Sequence, residues 1–260
     1  LMTGFIVNIY AALILFINII PGLDLSVANV TILTTALLIC HNLLVESAIS
    51  KSAGVSFIYV VFFRLISAFI ICFILNVVYS AFDILNEPYQ AIFTIEPMRV
   101  GFNYWLQDQA LNLIYIFMVV VVMVTILKLF RVLGIESLLK RIMIPVLKMF
   151  GIGKDATNII IVGMVIGLQF GGGIVIKEVK NGKIDKQSVF LSLCMLNLVH
   201  GVIEDTILML TVGGHYSGVV VARIILGLLI SLLMFNAYKK YHLFFEKYVF
   251  NKTLIDLPKI

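Results

Sequence analysis

Two small constellations of ionisable residues stand inside otherwise apolar sequence: His41, Glu46 and Arg64, then His200, Asp205 and Arg223. Displacing the chain against itself by 159 positions lays one on the other without a gap, with Ser47 on Thr206 and Gly54 on Gly213. Apolar neighbours coincide as well: Leu43 with Val202, Leu44 with Ile203, Leu65 with Ile224. The shared pattern is H-x4-[ED]-[ST]-x6-G-x9-R, and its recurrence in polar residue types that are rare here identifies an internal duplication. Each type carries its own chemistry. Histidine changes charge near neutral pH, a carboxylate holds a cation or balances a guanidinium, and arginine stays charged throughout. A charge at the centre of a bilayer costs about 2.5–3.5 kcal/mol on insertion scales, so such groups must face a bundle interior or water. Two readings stand at this point: the groups line a substrate or ion path, or each acid–arginine pair is a staple that sets helix register.

Glu204 has no partner in the first copy, where Val45 takes the position. His200 and Glu204, four residues apart, would share a helix face and form half of a metal site, or a hydrogen-bonded pair. Gln169 and Asn197 are polar groups on neighbouring elements and candidate contacts for a polar solute, or for helix–helix hydrogen bonding. Cys40, Cys72 and Cys194 lie in apolar runs with no CxxC spacing, so no disulfide framework is expected. No Walker A loop, GxSxG elbow or HExxH motif appears; Gly151–Lys154 reads GIGK without the required spacing or Ser/Thr. His215 and His242 fall near the ends of apolar runs and read as surface histidines. No catalytic residue, and no enzyme, is expected.

The elements that must position these groups are membrane helices. Of 260 residues 62% are hydrophobic and 13% charged, and the mean hydropathy is +1.11. An ordinary soluble domain is nearer a quarter charged. Apolar runs at about 4–21, 27–49, 55–80, 110–130, 157–176, 187–212 and 217–238 are long enough for membrane elements. The net charge of +5 comes from basic residues between these runs, a pattern that follows the positive-inside rule rather than nucleic-acid binding. Lys128, Arg131, Lys140, Arg141, Lys148 and Lys154 place the segment after the fourth run in the cytoplasm, as Lys239, Lys240, Lys247 and Lys252 place the C-terminal tail. The acidic 81–109 connection, with Asp83, Glu87, Glu96 and Asp108, lies outside, and its Tyr89, Tyr104 and Trp105 suit the headgroup level. The apolar N-terminal stretch has no basic n-region or cleavage site and reads as structure. The 131–150 stretch, with Pro145, reads as an amphipathic surface helix.

The 157–176 run is basic at both ends, being followed by Lys177, Lys180, Lys183 and Lys186, and carries Gly163, Gly167, Gly171, Gly172 and Gly173. A re-entrant hairpin is expected, a form that survives only when buried in protein or lining a wet cavity. The 4–21 run is its counterpart, with Gly4 opposite Gly163. The orientation makes the 27–49 and 187–212 spans cross in opposite directions, an inverted-topology repeat with its site at the repeat interface near midplane. The chain is thus expected to be one all-α integral membrane domain over 1–260. Repeat one covers about 4–80, a connecting span and amphipathic helix about 81–156, and repeat two about 157–240.

The segments CHNLLVESAISKSAG and LVHGVIEDTILMLTVGG resemble the nucleoside-recognition, or Gate, membrane proteins, a family that includes the spore maturation membrane proteins; Gate segments also occur in the ferrous-iron permease. The resemblance implies a fold similar to concentrative nucleoside transporters, in which re-entrant hairpins precede the site helices, with QFGGG at 169–173 as one hairpin tip. Iron transport is not implied securely, because His41 and His200 stand where the permease has cysteine-bearing motifs.

The expectation is a multi-pass cell-membrane protein that moves a small polar solute, a nucleoside or related metabolite, by ion-coupled alternating access. H⁺ or Na⁺ is the expected coupling ion, with no other cofactor. His41, Glu46, His200, Glu204, Asp205, Arg64, Arg223, Gln169 and Asn197 are the candidate binding residues, and His200 with Glu204 the candidate metal ligands. A divalent-metal permease is the alternative within transport. A non-transporting subunit, in a homo-oligomer or beside a partner membrane protein, is the alternative outside it.

Overall fold

The computed structural model describes residues 2–20, 23–90, 101–134, 137–138, 141, 143–145, 147, 154–181 and 184–251, and the expected amphipathic helix at 131–150 falls largely outside them. The described chain is helical. Its elements are α1 (Met2–Ile6), α2 (Ile9–Ile19), α3 (Val27–Cys40), α4 (Leu43–Ser52), α5 (Phe57–Ala81) and α6 (Phe102–Val132), then α7 (Lys154–Ile166), α8 (Leu168–Lys180), α9 (Lys186–Leu198) and α10 (Glu204–Thr211). A π-helical turn (Ser217–Ala222) opens α11 (Arg223–Lys240), and α12 (His242–Tyr248) follows. Among the described residues three stretches are long and apolar enough to cross a membrane: Val27–Ser52, which is α3 and α4 together, Phe57–Ala81, and Ser217–Lys240.

Each half of the chain runs through the same sequence of shapes. First comes a helical hairpin. In the second half α7 and α8 fold back on one another around Gly167, whose φ of +102° is one that side chains rarely adopt. Gly163 and Gly171 face each other so closely that a Cβ on Gly171 would overlap the Gly163 backbone. In the first half α1 and α2 fold back at Val7–Asn8, and Gly4 meets Ala12 at the matching register. Next comes a helix broken midway, α3–α4 or α9–α10. Its start is capped by a polar side chain at the same repeat position, the Ser26 hydroxyl accepting from the Asn29 amide and the Asp185 carboxylate from the Ser188 amide. A glycine in the positive-φ region then turns the chain, Gly54 at +113° and Gly213 at +94°. A long helix, α5 or α11, finally packs back along the broken one.

The exterior is apolar, and the hydrophobic interior holds a set of buried polar groups. On α5 the exposed face carries Phe62, Ile66, Phe69 and Phe73, while Arg64, Ser67 and Ala68 are buried. Buried Thr31, Thr34 and Thr35 return their hydroxyls to carbonyls one turn back, at 2.7, 2.8 and 2.7 Å, so none is left unpaired in an apolar setting. The two ends of the bundle differ in charge. One gathers the segment around Asp83 and Glu87 with the start of α3, through Val27 N–Glu87 O and Tyr89 N–Leu25 O, and with the end of α10, through Tyr89 Oη–Val212 O. The other joins the Lys51–Ser56 turn to the end of α12 through Ser56 N–Val249 O and Asn251 N–Gly54 O. Tyr59, Phe190, Tyr238, Phe245 and Phe250 meet there in tilted and edge-on ring contacts, beside Lys239, Lys240 and Lys247.

Candidate functional site

A helix broken inside an apolar bundle leaves carbonyls without amide partners, and an unpaired buried carbonyl costs about 1–3 kcal/mol. At the first break α3 ends at Cys40, Asn42 adopts a left-handed conformation (φ 52°), and α4 starts at Leu43. Arg64 on α5 spans the gap. Its Nε donates to Ile39 O at 2.8 Å, Nη2 to His41 O at 2.8 Å and Nη1 to Glu46 Oε2 at 2.5 Å. The second break, at 199–203, has the same repair: Arg223 Nε donates to Leu198 O at 3.3 Å and Nη2 to His200 O. Arg64 and Arg223 are 0% and 1% exposed, so neither reaches out to water. A cation at the C-terminal end of one half-helix and a carboxylate in the first turn of the next both suit the helix dipoles.

The breaks bring the two histidines together. His41 Nδ1 lies 3.1 Å from Leu37 O and His200 Nδ1 2.6 Å from Leu196 O. A carbonyl only accepts, so Nδ1 is the protonated nitrogen in both rings. The two Nε2 atoms then face one another at 3.3 Å, each a bare lone pair while its ring is neutral. Glu46 Oε1 stands 3.1 Å from His200 Nε2 and 4.0 Å from His41 Nε2; Asp205 Oδ2 stands 3.5 Å from His41 Nε2. Three electron-rich atoms, the two Nε2 and Glu46 Oε1, therefore converge on one buried point, with Asp205 Oδ2 beside His41. Positive charge, as protons on the rings or as a bound cation, would hold such a focus together.

The structure brings His41, Glu46, His200 and Asp205 to this focus and sets Arg64 and Arg223 behind it. The two copies are not identical. Arg223 bonds backbone carbonyls, and the Asp205 carboxylate turns to the histidine of the other half, whereas Glu46 is gripped by Arg64 of its own half. The expectation that His200 and Glu204 share a helix face is corrected, because α10 begins only at Glu204 and His200 lies in the break. Glu204 instead accepts a hydrogen bond from Tyr10 Oη at 2.6 Å, and it is not among the ligand atoms clustered around the histidines. Asn197 Nδ2 donates to Ser50 Oγ at 3.0 Å and to Leu193 O, joining α9 to α4. Gln169 stands near the start of α8 with its side chain outside the described residues. His215 donates or accepts at Ser217 Oγ, 2.8 Å away, and is remote from the focus in its contacts. Two site-bordering residues went unnoticed in the sequence, Tyr10 and Ser50. A tyrosine in an apolar run and a serine on a helix carry no signal until their partners are known.

Comparison with known proteins gives one informative match. The chain is 25% identical over 248 residues to the uncharacterized membrane protein YvoD of Bacillus subtilis (strain 168), covering 93% of this chain and 77% of that protein. No family model matches, and no solved structure matches. A membrane-protein relative along nearly the whole chain, three stretches of spanning length among the described residues and an apolar exterior agree: this chain is an α-helical protein of the membrane, in contact with lipid.

Proposed function

We propose that the chain is a secondary transporter for a small polar solute, driven by a cation bound at the His41–His200 focus. One observation carries the reading: two broken helices meet at their breaks and place ionisable side chains from both halves on a single buried point. Discontinuous helices that meet at mid-depth are how many transporters build sites accessible from either side. A staple would need only an acid and an arginine, but here the histidine of each half faces the carboxylate of the other. The two halves cross in opposite senses in this reading, with α7–α8 as a hairpin that re-enters from the cytoplasm. Its support is that Lys154 and Lys180 end the two arms, while Met164 O near the tip accepts from Val202 N at the second break. The lysine-rich end with α12 is cytoplasmic and the Asp83–Glu87 end external, following the positive-inside rule.

The solute is a nucleoside or related metabolite, the first class to test given the Gate-like segments. The buried and unpartnered Ser47 Oγ and Asn197 Oδ1, both on elements that line the focus, offer it a hydroxyl and an amide oxygen. The cell membrane is the expected site of action, as a homo-oligomer or beside a partner subunit, and no enzymatic step is required. The test is a thermal-shift screen of detergent-purified protein against nucleosides, bases and organic anions, beside the His41→Gln/His200→Gln variant, followed by uptake of any hit into proteoliposomes. A ligand that stabilises the parent alone, and is taken up down an imposed ion gradient, meets the expectation. A panel with no hit in either assay would overturn it in favour of a structural subunit.

A further inference from the structure

We infer that His41 Nε2, His200 Nε2 and Glu46 Oε1 form a binding site for a divalent first-row transition-metal ion, with Asp205 beside its open position. The inference rests on the reading of the two helix breaks as a binding site, and not on transport itself. The three ligand atoms lie within 4.8 Å of one another, and all three residues are buried. Ligands about 2.0–2.1 Å from a tetrahedral ion stand about 3.3–3.4 Å apart. The observed separations bracket that edge: 3.3 Å between the histidine nitrogens, 3.1 Å from His200 to Glu46 and 4.0 Å from His41 to Glu46. Only the last must shorten, by a small turn of one side chain.

Three further features point the same way. The outer partners are those of a metal site: each histidine gives its Nδ1–H to a backbone carbonyl, which fixes the tautomer and aims the Nε2 lone pair inward. Arg64 holds the second oxygen of Glu46, leaving Oε1 free as a single-point ligand. The charges also admit a cation. Three carboxylates, Glu46, Asp205 and the neighbouring Glu204, stand with two guanidiniums, Arg64 and Arg223, so the ensemble is short of positive charge while the histidines are neutral. Asp205, 3.5 Å from His41 Nε2, is placed to hold a water or solute on the remaining coordination position. Two imidazoles and one carboxylate choose among metals. The set is too nitrogen-rich for calcium or magnesium, which take oxygen ligands. It also lacks the thiolate that soft cuprous ions prefer, since the Cys40 Sγ is turned to Arg64 O. Zinc, ferrous iron and cobalt(II) fit.

The test uses Co²⁺ as the probe on tag-free, detergent-purified full-length protein. Equilibrium dialysis should give one ion per chain, and visible absorption should show the d–d bands of low-symmetry, four- or five-coordinate cobalt. His41→Gln and His200→Gln should each weaken binding by more than ~100-fold, beyond the range typical of outer-shell partners. His242→Gln, at an exposed position opening α12, should leave it unchanged. If the histidine variants do not fold, X-ray absorption of the zinc-loaded parent decides, with two imidazole ligands expected. Sub-stoichiometric binding, binding unaffected by both variants, or a zinc shell without imidazole would each overturn the assignment. The two readings fail separately. A parent that ignores Co²⁺ but is stabilised by a nucleoside loses the metal and keeps the transporter; tight Co²⁺ binding with no flux of metal or solute keeps the metal and removes the transporter.

Discussion

Arg64 performs three tasks with one side chain, and the planar fork of a guanidinium is what permits it. Its Nε and Nη2 close the two carbonyls left by the α3–α4 break, and its Nη1 fixes Glu46. A lysine has the charge without the fork. Arg64→Lys should therefore destabilise the protein by about 1–3 kcal/mol for each carbonyl left unpaired, seen as a lower melting temperature in detergent. An unchanged melting temperature would mean that the break does not depend on Arg64. The two acids should behave differently despite their matching places in the repeat. Glu46→Ala strands a buried arginine, which typically costs about 3–5 kcal/mol. Asp205→Ala breaks no arginine pair and should cost clearly less. Equal losses in chemical denaturation of the two variants would contradict the asymmetric site. The residues themselves were legible, since four polar types and a glycine recurred at fixed offsets. Their partners were not, because His41 faces Asp205 and His200 faces Glu46 across the halves.

The hairpins and broken helices are the elements that make the focus, and glycine sets the bend and the close packing of the second hairpin. Gly171→Ala should disrupt the α7–α8 hairpin, since its Cβ would meet the Gly163 backbone, whereas a Cβ on Gly173, only two residues on, meets nothing within 4 Å. Gly173→Ala should thus be neutral or stabilising by up to about 1 kcal/mol, from helix propensity alone. Gly167→Ala should cost about 1–3 kcal/mol, because its φ of +102° is strained for any side chain. Thermal melting of the three variants in one detergent checks the order, and a Gly171→Ala protein as stable as Gly173→Ala would refute the close packing. Apolar runs announced most of these elements, and glycines with flanking lysines singled out 157–176. The breaks at His41–Asn42 and 199–203 were invisible, because an apolar run reads alike whether its helix is continuous or interrupted. That interruption also undid the expected His200–Glu204 pair.

At the scale of the molecule, the distribution of charge between the two ends of the bundle predicts its placement in the membrane. A cysteine at Lys51 or Asn181 should react with a membrane-impermeant thiol reagent only after the cells are opened, and one at Asp83 should react on intact cells. Labelling of Asn181→Cys from outside would remove the re-entrant α7–α8 hairpin and with it the opposed sense of the halves. The fold already joins Lys51–Ser56 to the α12 end and Asp83–Glu87 to the opposite one through backbone hydrogen bonds. Gly213, where the α10 end meets Tyr89, belongs with the acidic end.

The sequence by itself determined the solvent and the duplication. An interior of 260 residues cannot hide a chain that is 62% hydrophobic, and polar residues scarce enough to stand out betray a repeat when they recur. Tertiary structure alone decided which groups meet. Contacts such as Tyr10 with Glu204, Asn197 with Ser50 and the paired Nε2 atoms join residues more than 140 positions apart. Periodicity and spacing report only on a chain's near neighbours, whereas a site between two halves is made by how those halves pack.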